Sequence, residues 1–244
     1  MGAIVRVPDF TPGHCGLAFA NSFPSQPDVS VRVPVYGSVN IGDASNGVCG
    51  GMVFTVLDLR TFARPAFPDT EPPPADSPLF HYIVRRLIDS WDIPNGVLKY
   101  LSWMNTGDGD QSLLSITRRG VWRRTLVDEW PKVQAALDAG QLCPLGLVTV
   151  ESRNPGDLGH NHQVLAYGYD LDGTDLRLLI LDPNVPRREI ELGVDISDER
   201  GETTVSYGTV DPPDWSDASV VCFFAYPYAA REPAPWAESH RNDD

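Results

Sequence analysis

Two side chains in this sequence have the types and surroundings to do covalent chemistry together. One is Cys49, set between glycines at the head of an apolar run in "NGVCGGMVF" (46–54). The other is His162, which opens "HQVLAYGYD" (162–170). A thiol becomes a nucleophile when its thiolate is stabilised, and a helix N-terminus does this with its partial positive charge and free N–H groups. After Cys49, "MVFTVLDLRTFAR" is apolar near helical spacing, with neither Pro nor Gly inside it, so the spacing predicts a helix of three to four turns that ends before Pro65. Gly50 and Gly51 would leave room for a substrate to approach the backbone. Cys15, in "GHCGLAF", competes for the role, but too little chain follows before Pro24 for a secure helix. The bland alternative for either is a small buried hydrophobe.

A nucleophilic thiol needs a base. His240 lies in a polar C-terminal stretch, and His14 and His81 stand outside any polar cluster. His160 and His162 come together in "LGHNHQV", where alternation would put both on one face at the start of a strand. One reading is a metal pair, with Asp157 or Asp182 as third ligand. The other uses the hairpin formed by "HQVLAYGYDLDG" and "TDLRLLILDPN", with Asp172-Gly173 as its turn. Antiparallel pairing then returns Asp182 beside His162, where its carboxylate would accept the Nδ1–H and fix the tautomer. Nucleophile, base and orienter are the parts of a catalytic triad.

The order "CGGMVF", "HQVLAYGY", "LLILDPN" resembles the papain-fold cysteine peptidases, especially the branch similar to bacteriocin-processing (double-glycine) peptidases. His162, Val164, Gly168 and Tyr169 match that superfamily's His-strand pattern, and Asp182-Pro183-Asn184 matches the Asp-Pro form of the branch. "ALDAGQLCPLGLVTV" resembles the helix, Gly turn and strand before it, so the likeness spans roughly residues 40 to 186. It implies Cys49 as nucleophile, His162 as general base and acid, and Asp182 as orienter, with Asn184 in reserve. The substrate would be a peptide or another small acyl or amide compound, cleaved through a thioester without a cofactor or a metal. An acyltransferase of the same fold and a catalytically inactive binding domain are the alternatives. The family usually places a Gln a short way before the nucleophile to bind the oxyanion. This chain has Asp43 there, whose carboxylate would repel the developing charge. Asn46, or more distantly Asn40, could supply the missing amide.

These residues must be positioned by the rest of the chain. Loops and short strands such as "SVRVPVYG" fill the first 45 residues, and "RPAFPDTEPPPADSP" reads as a Pro-rich surface connection over 65–78. A helical insert region follows over 79–140: one helix from Leu79, a second in "GVLKYLSWMN", a plain loop at "TGDGDQS", and a third interrupted or started near Pro131 and stopped by Gly140. Trp91, Tyr100, Trp103 and Trp130 could line a cleft there or pack in the core. Strands dominate after Gly140, which predicts an α+β fold, one papain-like domain over 1–230 and a flexible tail over 231–244.

Composition narrows the partners. The 244 residues hold 33 acidic and 19 basic side chains, for a net charge of −14 at pH 7. Such a surface repels nucleic acid and anionic membranes. No apolar run approaches the ~20 residues that span a bilayer, and "MGAIVRVPDF" lacks the basic and apolar regions of a signal peptide. The four cysteines, widely spaced, suggest neither a disulfide framework nor a zinc site. A cytoplasmic location is the expectation.

Overall fold

The computed structural model describes residues 2–23, 29–33, 37–41, 48–107, 110–113, 116–200, 205–211, 214–217 and 220–233. Helix α1 (Pro12–Cys15) is a single turn. Helix α2 (Cys49–Thr61) begins at the candidate nucleophile and stops ahead of Pro65, within the predicted span. Its residues are buried without a break from Cys49 to Leu59, so it has no solvent face and must be apolar or small all round. The small positions are where neighbours press closest. A Cβ on Gly51 would collide with the Ile83 carbonyl oxygen, and one on Gly50 with Ser90 and Gln163. The two glycines therefore admit the protein's own chain, not a substrate.

Helix α3 (Pro78–Ser90) lies against α2. Its start is set locally: Pro78 needs no N–H partner in the first turn, and the Ser77 hydroxyl accepts the Phe80 N–H at 3.1 Å. Ahead of it the Pro-rich connection is anchored by Phe67, which is buried. Helix α4 (Asn95–Met104) follows. The stretch read as a plain loop instead enters a short hairpin, β4 (Gln111–Leu113) with β5 (Ile116–Arg118). The chain then stays helical through α5 (Val121–Arg124), a π turn over Thr125–Glu129 and α6 (Trp130–Asp138). Pro131 stands in the first turn of α6, which starts beside it as one of the two readings had it, and the chain before it is helical too. Its ring would crowd the carbonyl four residues back, and the wider π turn relieves that while Trp130 N–H bonds to Thr125. Gly140, at φ +70°, ends the segment as predicted.

Among the described residues, strands β1 (Ala3–Arg6), β6 (Cys143–Val148), β7 (His162–Asp172), β8 (Asp175–Leu181), β9 (Ile190–Asp195), β10 (Ser206–Thr209), β11 (Asp214–Asp217) and β12 (Cys222–Ala225) form one antiparallel sheet, so the chain is α+β. The order is β11-β10-β9-β8-β7-β6-β12, and β1 pairs with β7. A separate hairpin joins β2 (Val29–Val33) to β3 (Gly37–Ile41). Asp172 pairs with Asp175, so the β7–β8 turn is Gly173-Thr174, one residue later than predicted; Gly173 takes the required positive φ of 62°.

The register of β7 on β8 positions the site. Ala166 faces Ile180 and Gly168 faces Leu179, which leaves Tyr167 as an extra residue, a β-bulge. Continued past the Leu165–Leu181 pair, this register sets Asp182 across from Val164, on the same face as His162. Without the bulge, Asp182 would stand across from Leu165, and His162 would point to the opposite face. The bulge is held from the other edge, where Val7 N–H bonds to the Tyr167 carbonyl at 2.8 Å. Gly168 lets β1 come this close, because a Cβ there would collide with the Val5 carbonyl oxygen.

One buried ion pair ties α2 to α3 and to the segment that follows β12. Asp58, fully buried, meets Arg86 Nε at 2.6 Å and accepts the hydroxyls of Tyr82 and Tyr228, each at 2.8 Å. It also accepts the Arg231 backbone N–H at 2.9 Å, and Arg86 donates to the Ala229 carbonyl at 2.8 Å. Arg231, expected to begin a flexible tail, is thus pinned to the core; residues 234–244 lie outside the described residues. No helix among the described residues is long and apolar enough to cross a membrane.

Two stability changes follow. Gly51→Ala forces α2 off α3 and should lower unfolding free energy by about 1–3 kcal/mol in urea titration. Arg86→Met leaves the Asp58 carboxylate buried without its cation and should cost about 3–5 kcal/mol, whereas Asp58→Leu combined with Arg86→Met should cost less than the single change.

Candidate active site

Cys49 is the first residue of α2, and the N–H groups of that turn have no partner within the helix. No side chain on α2's own cap residue, Val48, holds the start. Instead the Val48 N–H donates to Asn21 Oδ1 at 2.9 Å. Asn21 reaches the other half of the site as well: its Nδ2 donates to Asn184 Oδ1 at 3.1 Å, and its backbone N–H to the Pro183 carbonyl at 2.9 Å. The residue before the cysteine and the turn after β8 are thereby fixed to one short side chain.

His162 is 16% exposed in its side chain, and its Nε2 lies 2.8 Å from Oδ1 of Asp182, which is 2% exposed. The sequence reading had the nearer nitrogen, Nδ1, donating to this carboxylate. Nε2, at the far edge of the ring, does so instead. That leaves Nδ1 clear of Asp182, and Cys49 lies close enough to the ring to raise its pKa. The Asp182 carboxylate is itself fixed from two sides. Oδ1 accepts the Asn184 backbone N–H at 2.7 Å, and Oδ2 accepts the Tyr207 hydroxyl at 3.0 Å. Asn184 Nδ2 comes within 3.4 Å of the same imidazole nitrogen. Two donors cannot share that contact, so the reserve orienter acts through its backbone on Asp182.

The charges favour an ion pair. Burial pushes the His162 imidazole toward its neutral form, but the Asp182 carboxylate and then Cys49 outweigh it, so its pKa stands well above the ordinary 6.5. Burial likewise works against the Asp182 carboxylate, yet His162, the Asn184 N–H and the Tyr207 hydroxyl together hold its pKa below the ordinary 3.8. Among the other thiols, Cys143 is pushed up to about 12 by burial and the Glu129 carboxylate. Cys15 ends its helix and faces the Asp9 carbonyl at 3.7 Å.

The remaining sequence candidates separate. His160 is exposed and ends a 3-10 helix (Pro155–His160), so it does not share a strand face with His162. Asp157 is engaged by Ser152 and by Asn154 at 3.2 Å. No three His, Cys, Asp or Glu side chains among the described residues converge to hold a metal. Trp91 and Tyr100 line a pocket beside Cys49. Trp103 packs on Phe224 and Trp130 on Tyr169 in the core. Asn40 pairs with Ser30 in the β2–β3 hairpin, but its side chain lies outside the described residues, as do Asn46 and Asp43.

Asn21 and Tyr207 did not emerge from the sequence. Neither sits at a spacing that marks it, since Asn21 lies in a loop and Tyr207 reaches Asp182 only through two further strands of the sheet. No family model, curated protein or solved structure matches the chain.

The pair's contribution to stability has a defined pH window. His162, with its raised pKa, contributes in full below pH 6.5 and loses this as pH rises through its folded pKa; Asp182, with its lowered pKa, contributes in full above pH 3.8 and loses this as pH falls through its own. The stability gap between wild type and Asp182→Asn should therefore be widest between pH 3.8 and 6.5 and shrink on both sides. In the same variant, the His162 ring followed by NMR should titrate at lower pH than in wild type, because burial then acts without its counter-charge.

Proposed function

We propose that the protein is a cysteine hydrolase of papain-like type that cleaves a peptide or another amide or acyl bond. The observation that carries this reading is His162, held by Asp182 through Nε2 beside the Cys49 thiol, which opens a buried helix and raises the pKa of the ring. The Cys49 thiolate attacks the substrate carbonyl carbon to give a tetrahedral oxyanion. The oxyanion collapses as the carbon–nitrogen bond breaks, and the His162 imidazolium gives its proton to the leaving amine. His162, now neutral, takes a proton from water as that water attacks the thioester, which releases the acid and restores the thiolate–imidazolium pair. N–H groups of the first turn of α2 are the oxyanion donors nearest the thiol. Asp182 holds the ring orientation in both steps and stabilises its charge, with Tyr207 and the Asn184 N–H keeping the carboxylate in place. The placement of the nucleophile on a helix and of base and orienter on an antiparallel hairpin supports the papain-like reading of the fold.

The test is alkylation by iodoacetamide at pH 6, read cysteine by cysteine by peptide mass spectrometry. Cys49 should react faster than Cys15 and Cys143, and His162→Ala should slow it by about a hundredfold. Equal rates for Cys49 in wild type and His162→Ala, or a Cys49 no faster than Cys15, would sink the nucleophile assignment.

A further inference from the structure

The thiol of Cys49 opens onto a pocket of about 60 Å³. Besides Cys49, its walls come from five parts of the chain: Leu87 and Trp91 at the end of α3, Val97 and Tyr100 on α4, Leu158 within the 3-10 helix, Gln163 at the start of β7, and Tyr226 just after β12. Among the described residues that line it, none carries a carboxylate, an ammonium or a guanidinium. Burial raises the pKa of both tyrosines, so they are neutral phenols.

Most polar side chains on the wall are already engaged. Tyr100 donates its hydroxyl to the His162 carbonyl at 3.1 Å and receives the Gln163 amide N–H. Tyr226 donates to the Trp91 carbonyl at 3.2 Å. Asn161 donates to the Leu158 carbonyl at 3.1 Å and accepts the Thr149 N–H at 3.2 Å. Gln163 Oε1 has no partner, but it is sealed from solvent, and the Gly50 backbone lies against it. A group entering this pocket meets ring faces and methyl groups.

We propose that the pocket is the specificity pocket of the site and takes a compact, uncharged aliphatic group next to the reacting carbonyl of the substrate. The proposal rests on Cys49 being the nucleophile. Size sets its upper bound: a cavity of about 150 Å³ accommodates benzene, so this one suits a branched group of roughly three or four carbons and refuses an aromatic ring. Charge sets the second bound, because an ammonium or carboxylate would lose its water and find no counter-ion there. A valine- or leucine-like acyl residue satisfies both.

The experiment measures Cys49 labelling by N-acetyl aminoacyl chloromethyl ketones carrying Gly, Val, Leu, Phe, Lys or Glu. In each, sulfur displaces chloride: a C–S bond forms, the C–Cl bond breaks and chloride leaves. The Val or Leu reagent should react at least about tenfold faster than the Gly reagent, with Phe, Lys and Glu slower than Val. Lys, Glu or Phe matching Val, or a flat series, would overturn the pocket. Leu158→Trp narrows the mouth and should shift preference toward Gly; an unchanged preference in the folded variant counts against the proposal. Iodoacetamide, small enough to need no pocket, separates the two claims. His162-dependent iodoacetamide labelling with a flat ketone series overturns the pocket alone, whereas His162-independent labelling overturns the nucleophile and the pocket with it.

Discussion

Everything at the site depends on a matter of parity in one strand. Side chains alternate along β7, so His162 and Asp182 can meet on one face only if the register between the two strands supplies the right count. The extra residue at Tyr167 supplies it. The bulge could not persist as a free irregularity, because its carbonyl would be left without a partner. β1 provides one through Val7, and β1 reaches that edge because Gly168 has no side chain to hold it away. β7 is paired along one edge by β8 and along the other first by β6 and then by β1. The strand that carries His162 is thereby fixed on both sides before any functional group is considered.

The second fixed body is α2. A helix buried around its whole circumference gains little from amphipathic patterning and much from close fit. Glycine faces a backbone carbonyl at Gly51, and apolar side chains fill most of the rest of its surface down to Leu59, with Thr55 and Asp58 the polar exceptions. Its one buried charge, Asp58, lies about two and a half turns beyond the thiol and is matched by Arg86 and three further donors. Asn21 then joins this body to the turn after β8 at the point where thiol and imidazole meet. Two rigid supports and one short bridge hold the constellation.

Much of this was legible in the sequence where local rules decide. The start of α2 at Cys49 and its end before Pro65, the stop at Gly140, and the hairpin returning Asp182 to His162 all follow from periodicity and turn chemistry. What escaped was set by contacts far apart in the chain. β1 has four residues, three of them exposed and the fourth partly so, and its pairing with β7 leaves no local trace. The bulge changes no composition. Which imidazole nitrogen meets Asp182, and that Tyr207 reaches the same carboxylate, depend on how strands stack across the sheet. The pair His160 and His162 misled because alternation assumes an extended chain, whereas Asn154 caps a 3-10 turn that carries His160 away; its Oδ1 accepts the Gly156 N–H at 3.1 Å. The four aromatic candidates divided by tertiary position alone, two at the pocket and two in the core.

The donors gathered on Asp58 set an order on synthesis of the chain. A ribosome releases Asp58 long before Tyr228 and Arg231, which follow it by 170 and 173 positions. Until those residues emerge, the helix that bears the thiol holds a carboxylate whose place in the interior is incomplete. Tyr226, a wall of the pocket, arrives in the same late stretch. A nascent chain halted short of it has the cysteine, the histidine and the aspartate in hand, yet lacks both the wall beside the thiol and the clasp that seats its helix. The pocket beside Cys49 is thus closed, and its helix fully seated, only after residues 226 to 231 have joined the chain.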